Sequence, residues 1–283
     1  MPEASPFTVD ADWLQEHLGT PGLSIVDASW YLPAQNRDAR AEYEAAHIPG
    51  AVFFDQDAVV DPESSLPHTL PDANTFARHV GSMGISTDDT IVVYDGPGVF
   101  SAPRVWWMLR VMGVFQVYLL DGGFDRWKAA GRPVTAEQTK VAPNIFHVDF
   151  DASRVASLAD MRRIVDSGES QIADARPAGR FTGAEPEPRA GMRGGHMPGA
   201  KSVPATTLSR DGKLLPADEL AARFAEAGID LDKPVVTSCG SGITAAVITL
   251  ALETLGHSAN RLYDGSWTEW GGRPDTPVAT GKD

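Results

Sequence analysis

An internal repeat limits the fold of this chain more than any other feature of its sequence, because a repeat reveals the unit that folds. The motif I-V-D-A-S-W around Asp27 returns as I-A-D-A-R-P around Asp174. The motif A-H-I-P-G-A at residues 46–51 returns as G-H-M-P-G-A at residues 195–200. Two further motif pairs follow in the same order, at offsets that drift by only a few residues. The chain therefore contains a duplicated domain.

Each copy alternates short apolar runs with helical segments. The runs at residues 91–94 and 234–237 are rich in β-branched residues, which is typical of buried parallel strands. Helices are predicted after them, at residues 104–112 and 244–255. This alternation predicts an α/β fold in which each domain has a central, mainly parallel sheet flanked by helices.

The predicted domain limits follow from the repeat and from a polar, proline-containing stretch between the copies. We expect an N-terminal domain over residues 1–140 and a C-terminal domain over residues 146–283. The stretch at residues 131–144 is the predicted linker.

The net charge and the apolar pattern of the chain argue against several classes of function. The formal charge is −14 and no cluster of Lys and Arg interrupts it, which disfavours binding to nucleic acid or to an acidic membrane surface. No apolar run is long enough to span a bilayer, and the first residues lack the pattern of a signal peptide. A cytoplasmic location is therefore expected.

The single cysteine, Cys239, excludes an internal disulfide and a cysteine-based zinc cluster, and the seven histidines are scattered. No metal is expected. Cys239 lies at a predicted strand-to-helix turn, followed by Gly240 and Gly242, which allow a tight loop with inward-facing N–H groups. A helix N-terminus beside the sulfur favours the nucleophilic thiolate. An isolated buried cysteine is more often inert, but this loop favours a reactive one.

Two other interpretations of the loop are disfavoured. The segment G-S-G-I-T-A fits a dinucleotide-binding fingerprint with Asp264 as its acidic residue, but the chain after Asp264 is too short for the rest of such a fold. A cysteine phosphatase needs a phosphate-binding arginine six residues after the cysteine, and this position is Ala245.

The tandem copies, the H-x-P-G-A motif in each and the segment C-G-S-G-I-T resemble the rhodanese superfamily. Within it, the loop is similar to that of the 3-mercaptopyruvate sulfurtransferases, with Ile243 in place of valine. The resemblance implies two tandem rhodanese-like domains and a Cys239 persulfide that carries sulfur from a small-molecule donor. The implied acceptor is a thiol, a thioredoxin-like protein or cyanide, and no cofactor is implied. A thiosulfate sulfurtransferase and a non-catalytic persulfide carrier remain as alternatives.

The resemblance also assigns the site. Arg180 and Arg189 match substrate-binding positions, and a guanidinium group suits a carboxylate because it can bind two oxygens. The alternative is that both are solvated loop residues. A dianion such as thiosulfate would bind better beside a cation, and the loop itself carries none. Further substrate contacts are implied for loop residues Gly240, Gly242, Ile243 and Thr244.

Three residues match a proposed relay of the family, namely Asp57, His68 and Ser241. A hydroxyl polarised by histidine could assist the carbonyl or the leaving enolate of the donor. The alternative is that Ser241 caps a helix, His68 lies on a loop and Asp57 caps a turn.

The remaining expectations concern the rest of the chain. The N-terminal copy is expected to be catalytically silent, because aligning Val92 with Val235 places Gly96 opposite Cys239 and because Pro97 and Pro103 lack N–H donors. The active site is then expected in the cleft between the domains. His47 and His196 are expected to be structural, and five tryptophans are expected in the core: Trp106, Trp107, Trp127, Trp267 and Trp270.

Overall fold

The computed structural model describes residues 5–282, and its two halves are built around two five-stranded sheets. The strands of the first sheet are β1 (Thr8–Val9), β2 (Leu23–Asp27), β3 (Ala51–Phe53), β4 (Thr90–Tyr94) and β5 (Val117–Leu120). Their spatial order is β1-β5-β4-β2-β3, and every neighbouring pair is parallel. The helices of this half are α1 (Ala11–His17), α2 (Ala39–Ala45), α3 (Ala73–Ser82), α4 (Ala102–Val111) and α5 (Gly123–Ala129).

The second half repeats this arrangement. Its sheet contains β6 (Val155–Ala156), β7 (Gln171–Asp174), β8 (Ala200–Ser202), β11 (Val235–Ser238) and β12 (Asn260–Tyr263), and β9 (Ser209–Arg210) pairs with β10 (Lys213–Leu214) in a separate hairpin. The order β6-β12-β11-β7-β8 is the order of the first sheet, again with parallel neighbours. The helices are α6 (Leu158–Ser167), α7 (Ala178–Thr182), α8 (Ala217–Glu226), α9 (Ala245–Thr254) and α10 (Ser266–Trp270). Short 3-10 helices lie at Pro33–Gln35, Ala152–Arg154 and Ala205–Thr207. The predicted α/β class and the duplication are confirmed.

The helices after the central strands lie close to their predicted positions. Helix α4 begins two residues earlier than predicted, because Pro103 stands in its first turn, where no N–H group is needed for an intrahelical bond. Helix α9 is shorter by one residue at each end than predicted.

The register of the central strands corrects the predicted alignment of the two loops. Tyr94 pairs with Asp27, and Ser238 pairs with Asp174. Because Asp27 and Asp174 are equivalent, the residues that follow the two strands are also equivalent, so Asp95 and not Gly96 corresponds to Cys239. The sequence alignment was wrong by one position, because paired valines fit either register and only the neighbouring strand selects one. The first loop is one residue longer before its helix.

The two halves are joined by a segment that is irregular but held against the first half. His47 and Thr135 exchange two backbone hydrogen bonds of 2.9 Å, and the Asn144 N–H donates to the Gly81 carbonyl at 2.8 Å. The linker was predicted in this segment, while the domain limits at residues 140 and 146 stay predictions.

The two halves also share a core. Helices α4 and α9 pack together, and one apolar cluster contains both Val105 and Val247. The five tryptophans expected in the core are each at most 1% exposed. His47 and His196 are buried, and their Nδ1 atoms contact backbone carbonyls, as a structural role requires. Within residues 5–282, no helix is long and apolar enough to cross a bilayer.

Candidate active site

Cys239 is the first residue after β11, and five loop residues separate it from α9. It is 2% exposed, and its Sγ accepts a hydrogen bond of 3.1 Å from the Gly242 N–H. Gly242 has φ of +84°, which favours glycine, and a Cβ there would lie 3.0 Å from both Arg104 Nη1 and the Asp264 carbonyl oxygen. The loop can therefore direct this N–H group at the sulfur only because residue 242 has no side chain.

Other N–H groups of the loop are available to an anion. Those of Ile243, Thr244 and Ala245 make no hydrogen bond to any residue within the described range 5–282. The first N–H groups of a helix have no intrahelical acceptor and lie at the positive end of its dipole. The loop is thus a cradle for negative charge on, or bonded to, Sγ.

The equivalent loop of the first half shows what such a cradle holds when it is filled. The Asp95 carboxylate accepts hydrogen bonds from the N–H groups of Gly98 (2.5 Å), Phe100 (3.0 Å), Ser101 (2.6 Å) and Ala102 (2.8 Å). Burial raises its pKa to about 6, and these four donors oppose the rise. Pro97 and Pro103 offer no N–H group, but this does not prevent the loop from binding an anion, because its donors belong to neighbouring residues. The first half has an intact cradle that is filled by a carboxylate.

The three residues of the expected relay are in contact. His68 Nδ1 lies 2.8 Å from Ser241 Oγ, and His68 Nε2 lies 2.9 Å from Asp57 Oδ1. The alternative role of Ser241 as a helix cap does not fit, because α9 is capped at Thr244 without a side-chain hydrogen bond. The structure thus brings together three residues from both halves of the chain.

The protonation of the relay follows from its surroundings. Burial lowers the pKa of His68, while Asp57 opposes this effect. The hydrogen bond with His68 lowers the pKa of Asp57. A carboxylate can only accept, so the proton of the neutral ring is on Nε2 and the lone pair of Nδ1 faces the Ser241 hydroxyl. The arrangement can polarise that hydroxyl.

A cavity of about 510 Å³ opens in front of Cys239, between the two halves. Trp30 and Phe100 of the first half and Arg189 and Cys239 of the second are among the residues that line it. Ser241 is the relay residue that reaches the cavity, and the expected cleft between the domains is therefore present. Within residues 5–282, no group of three or more His, Cys, Asp or Glu side chains could hold a metal.

The two arginines expected to bind substrate both line this cavity. Arg180 binds Glu187 through Nε and Nη2, with a shortest distance of 2.5 Å, and its Nη1 makes no hydrogen bond to another residue of the described chain. Arg189 makes no hydrogen bond or ion pair within residues 5–282. Burial lowers the pKa of Arg189, and the charges of Cys239 and Asp57 oppose this effect. Both side chains are available to an anionic ligand, so the alternative of solvated loop residues fits less well.

The loop residues expected to contact substrate divide into two groups. Gly240, Ile243 and Thr244 line the cavity. Gly242 instead contacts the sulfur from behind. Its position agrees with a role in holding Cys239 more than with substrate contact.

Sequence reasoning missed two residues that shape the site. Trp30 lines the cavity, donates its Nε1–H to both oxygens of Asp57 at 3.2 Å and packs edge-on against His68, with 4.9 Å between ring centroids. The equivalent position of the second copy is Pro177, and this difference between the copies could have marked Trp30 as a functional residue. The second missed residue is Glu187, which binds Arg176 at 2.8 Å as well as Arg180. Nothing in its sequence position relative to the arginines indicated these contacts.

The fold and this site define a class of protein. The profile of the rhodanese-like domain matches residues 10–130 and 157–273, and the chain therefore belongs to the rhodanese family.

Individual relatives are more specific. The 3-mercaptopyruvate sulfurtransferase of Escherichia coli K12 is 45% identical over 97% of this chain and 98% of its own length. The mitochondrial thiosulfate/3-mercaptopyruvate sulfurtransferase 1 of Arabidopsis thaliana is 42% identical over 95% of this chain and 77% of its own length. The crystal structure of the 3-mercaptopyruvate sulfotransferase SseA from Escherichia coli superposes with a TM-score of 0.86 at 43% identity, over 92% of this chain and 98% of that one.

Proposed function

We propose that this chain is a 3-mercaptopyruvate sulfurtransferase, which moves a sulfur atom through a Cys239 persulfide to an acceptor and releases pyruvate. The observation that carries the proposal is the open N–H cradle at Cys239, which faces a cavity lined by Arg180 and Arg189. The high identity to sulfurtransferases that are named for this donor supports the same assignment.

The first half-reaction forms the persulfide. The Cys239 thiolate attacks the sulfur of 3-mercaptopyruvate, an S–S bond forms, and the bond between sulfur and C3 of the donor breaks. The electron pair of that bond passes to the enolate of pyruvate. The proton of the donor thiol ends on the methyl group of pyruvate, and a persulfide anion remains on Cys239.

The donor carboxylate is held by the guanidinium groups of Arg180 and Arg189. Arg180 can offer Nη1 while Glu187 fixes its other nitrogens, and Arg189 has no competing partner in the described chain. A guanidinium in a partly desolvated cavity binds a carboxylate more strongly than in water. The bound donor would then present its sulfur to Cys239.

The relay assists at the carbonyl of the donor. The Ser241 hydroxyl has one proton, which it donates to Nδ1 of the neutral His68 ring. Once that ring has taken up the proton of the donor thiol, His68 donates to Ser241 Oγ, and the hydroxyl can then donate to the developing enolate oxygen and return a proton to the product. Asp57 stabilises the ring while it exchanges that proton.

The second half-reaction transfers the outer sulfur to a small thiol, a thioredoxin-like protein or cyanide. The persulfide anion is stabilised meanwhile by the loop N–H groups. The filled cradle at Asp95 supports this role, because its carboxylate oxygens lie three bonds from the α-carbon, as the outer sulfur of a persulfide would, and accept hydrogen bonds from four N–H groups of the loop. No cofactor takes part in either half-reaction.

Two alternatives are tested by the same assay. Thiosulfate as the main donor is disfavoured by the absence of a cation at Gly240 and Ser241, although one relative is named for both donors. A non-catalytic carrier would load one sulfur without turnover. The experiment measures pyruvate released from 3-mercaptopyruvate with and without an acceptor thiol, and compares kcat/KM for both donors. Stoichiometric release without acceptor and repeated turnover with it are expected. A higher kcat/KM for thiosulfate would overturn the donor assignment.

The proposal keeps the expected cytoplasmic location, although one relative is named as mitochondrial. Cell fractionation followed by immunodetection tests it, and enrichment in another compartment would contradict it.

A further inference from the structure

A buried ion pair joins the two halves of the chain beneath the active site. Arg104 on α4 and Asp264, the residue after β12, are linked by a contact of 2.6 Å between Nη2 and Oδ1. The Arg104 side chain is 1% exposed and that of Asp264 is 15% exposed. An ion pair so far from water is costly to form unless further hydrogen bonds satisfy its atoms. Its other partners therefore show what it does.

Those partners are backbone groups on both sides of Thr69. Arg104 Nη2 donates to the His68 carbonyl oxygen at 2.5 Å, and the Leu70 N–H donates to Asp264 Oδ2 at 2.7 Å. The segment that carries the relay histidine is thus held at two points, its carbonyl by the positive charge of Arg104 and its N–H group by the negative charge of Asp264.

This segment needs such support. His68 has φ of +61°, in the left-handed region that residues with a side chain rarely occupy. A conformation of this kind persists when the surrounding contacts fix it, and such positions are concentrated at functional sites. The conformation directs the ring of His68 towards Ser241, with 2.8 Å between Nδ1 and Oγ.

The same pair lies directly beneath the nucleophile loop. Arg104 Nη1 and the Asp264 carbonyl oxygen occupy the space next to the α-carbon of Gly242, whose N–H donates to Cys239 Sγ. The guanidinium also stacks over Trp107, with 4.6 Å from Cζ to the ring centroid. One rigid group therefore contacts both the relay segment and the loop of the nucleophile.

We infer that Arg104 and Asp264 are positioning residues that set the distance between His68 and Ser241 across the domain boundary. Neither touches the cavity or the reacting atoms. The inference rests on the proposed function, since it assigns a task to the relay.

A second ion pair between helix α4 and the second half of the chain provides a matched control. Arg110 on α4 binds Glu253 on α9 at 3.2 Å, and Glu253 also binds Arg154 at 2.6 Å. Arg110 lies six residues after Arg104, or about 9 Å along the helix. Replacing Arg110 weakens the docking of the halves and leaves Glu253 paired with Arg154. It does not touch the segment of His68.

The first experiment compares Asp264→Ala and Asp264→Asn with Arg110→Met, using pyruvate release from 3-mercaptopyruvate and thermal unfolding. Asp264→Ala is expected to lower kcat on the order of 10- to 100-fold with little change in KM, because the relay is displaced while the arginines that bind donor stay in place. Asp264→Asn keeps a side-chain acceptor and should lose less. Arg110→Met should lower Tm and leave kcat within about twofold of the wild type.

The second experiment needs no turnover. The ring of His68 is titrated by NMR in the wild type, in Arg104→Met and in Arg110→Met, with His68→Gln used to assign its signal. Burial and the charges of Arg104 and Arg189 lower the pKa of His68, whereas Asp57 raises it. Arg104→Met is therefore expected to raise this pKa, and Arg110→Met to leave it unchanged.

The outcomes separate the two hypotheses. A wild-type chain that releases no pyruvate overturns the proposed function, and the NMR titration then still tests whether Arg104 controls the surroundings of His68. A wild-type chain that turns over while Asp264→Ala loses only Tm, as Arg110→Met does, overturns the inference. Should Asp264→Ala not fold, an unchanged kcat in Asp264→Asn together with an unchanged His68 titration in Arg104→Met has the same meaning.

Discussion

Ser241 Oγ and His68 Nδ1 lie 2.8 Å apart, although 173 positions separate the two residues in the chain. The contact joins the nucleophile loop of the second half to a loop of the first half. The proposed relay can therefore exist only while the two halves are docked, and this dependence leads to the first prediction.

The isolated second half, residues 146–283, is expected to be a poor enzyme even if it folds. It retains Cys239 and both cavity arginines. It lacks His68, Asp57 and the residues of the first half that line the cavity, such as Trp30 and Phe100. Pyruvate release by this fragment should fall by at least about 100-fold against the full chain, with circular dichroism as the check on folding. A folded fragment with full kcat would refute a site shared between the halves.

The three relay residues are expected to act as a unit. Ser241→Ala, His68→Ala and Asp57→Ala should each slow persulfide formation, and the double variants should lose little more than the single ones, because removing one member disables the others. Single-turnover pyruvate release measures this step directly. Full activity in Ser241→Ala would leave that hydroxyl with a structural role only.

Arg180 and Arg189 are expected to hold the donor carboxylate. Alanine at either position should lower kcat/KM for 3-mercaptopyruvate. The loss should correspond to roughly 1.5–3 kcal/mol of transition-state stabilisation, the value of one charged hydrogen bond. Glu187→Gln serves as a companion variant. It should have a smaller effect, because it frees Arg180 without removing a guanidinium group. If kcat/KM is unchanged in both alanine variants, neither arginine binds the donor.

The first half is expected to be catalytically silent, and the register of its central strand decides how to test this. A cysteine should be placed at Asp95, which is equivalent to Cys239, rather than at Gly96. Asp95→Cys in a Cys239→Ser background should not restore turnover, because residue 95 does not line the cavity and the two arginines belong to the other loop. Mass spectrometry after donor treatment should show no added sulfur in this variant and one added sulfur in the wild type. Turnover at more than a trace level would show that the first cradle is competent.

The pH dependence of persulfide formation should report His68. Burial holds its pKa below the ordinary value of 6.5, so the neutral ring that accepts from Ser241 persists as the pH falls below 6.5. Asp57 opposes this effect, and Asp57→Asn should therefore shift the acid limb of kcat to lower pH. Ser241→Ala is the control, because its residual rate should not follow the titration of His68. An acid limb that moves to higher pH in Asp57→Asn would contradict this assignment.

Features that depend on neighbouring residues could be predicted from the sequence. The duplication, the α/β class and the burial of the tryptophans follow from motif order and local apolar patterns, and the structure confirms them. The glycines around Cys239 predicted a tight turn at a helix N-terminus, because backbone conformation and dipole are local properties. The nucleophile could therefore be proposed without any knowledge of distant contacts.

Other features were decided only by tertiary structure. The equivalence of Asp95 and Cys239 required the pairing of each central strand with its neighbour, because the valine pairs alone fit either register. Asp264 was considered only as the acidic residue of a nucleotide fingerprint, whereas it binds Arg104 and the Leu70 N–H. These contacts join residues that are more than a hundred positions apart, and no local pattern records which distant side chain a buried charge will meet. The sequence by itself determined the duplicated fold and the reactive loop, and the packing of one half against the other determined the groups that surround it.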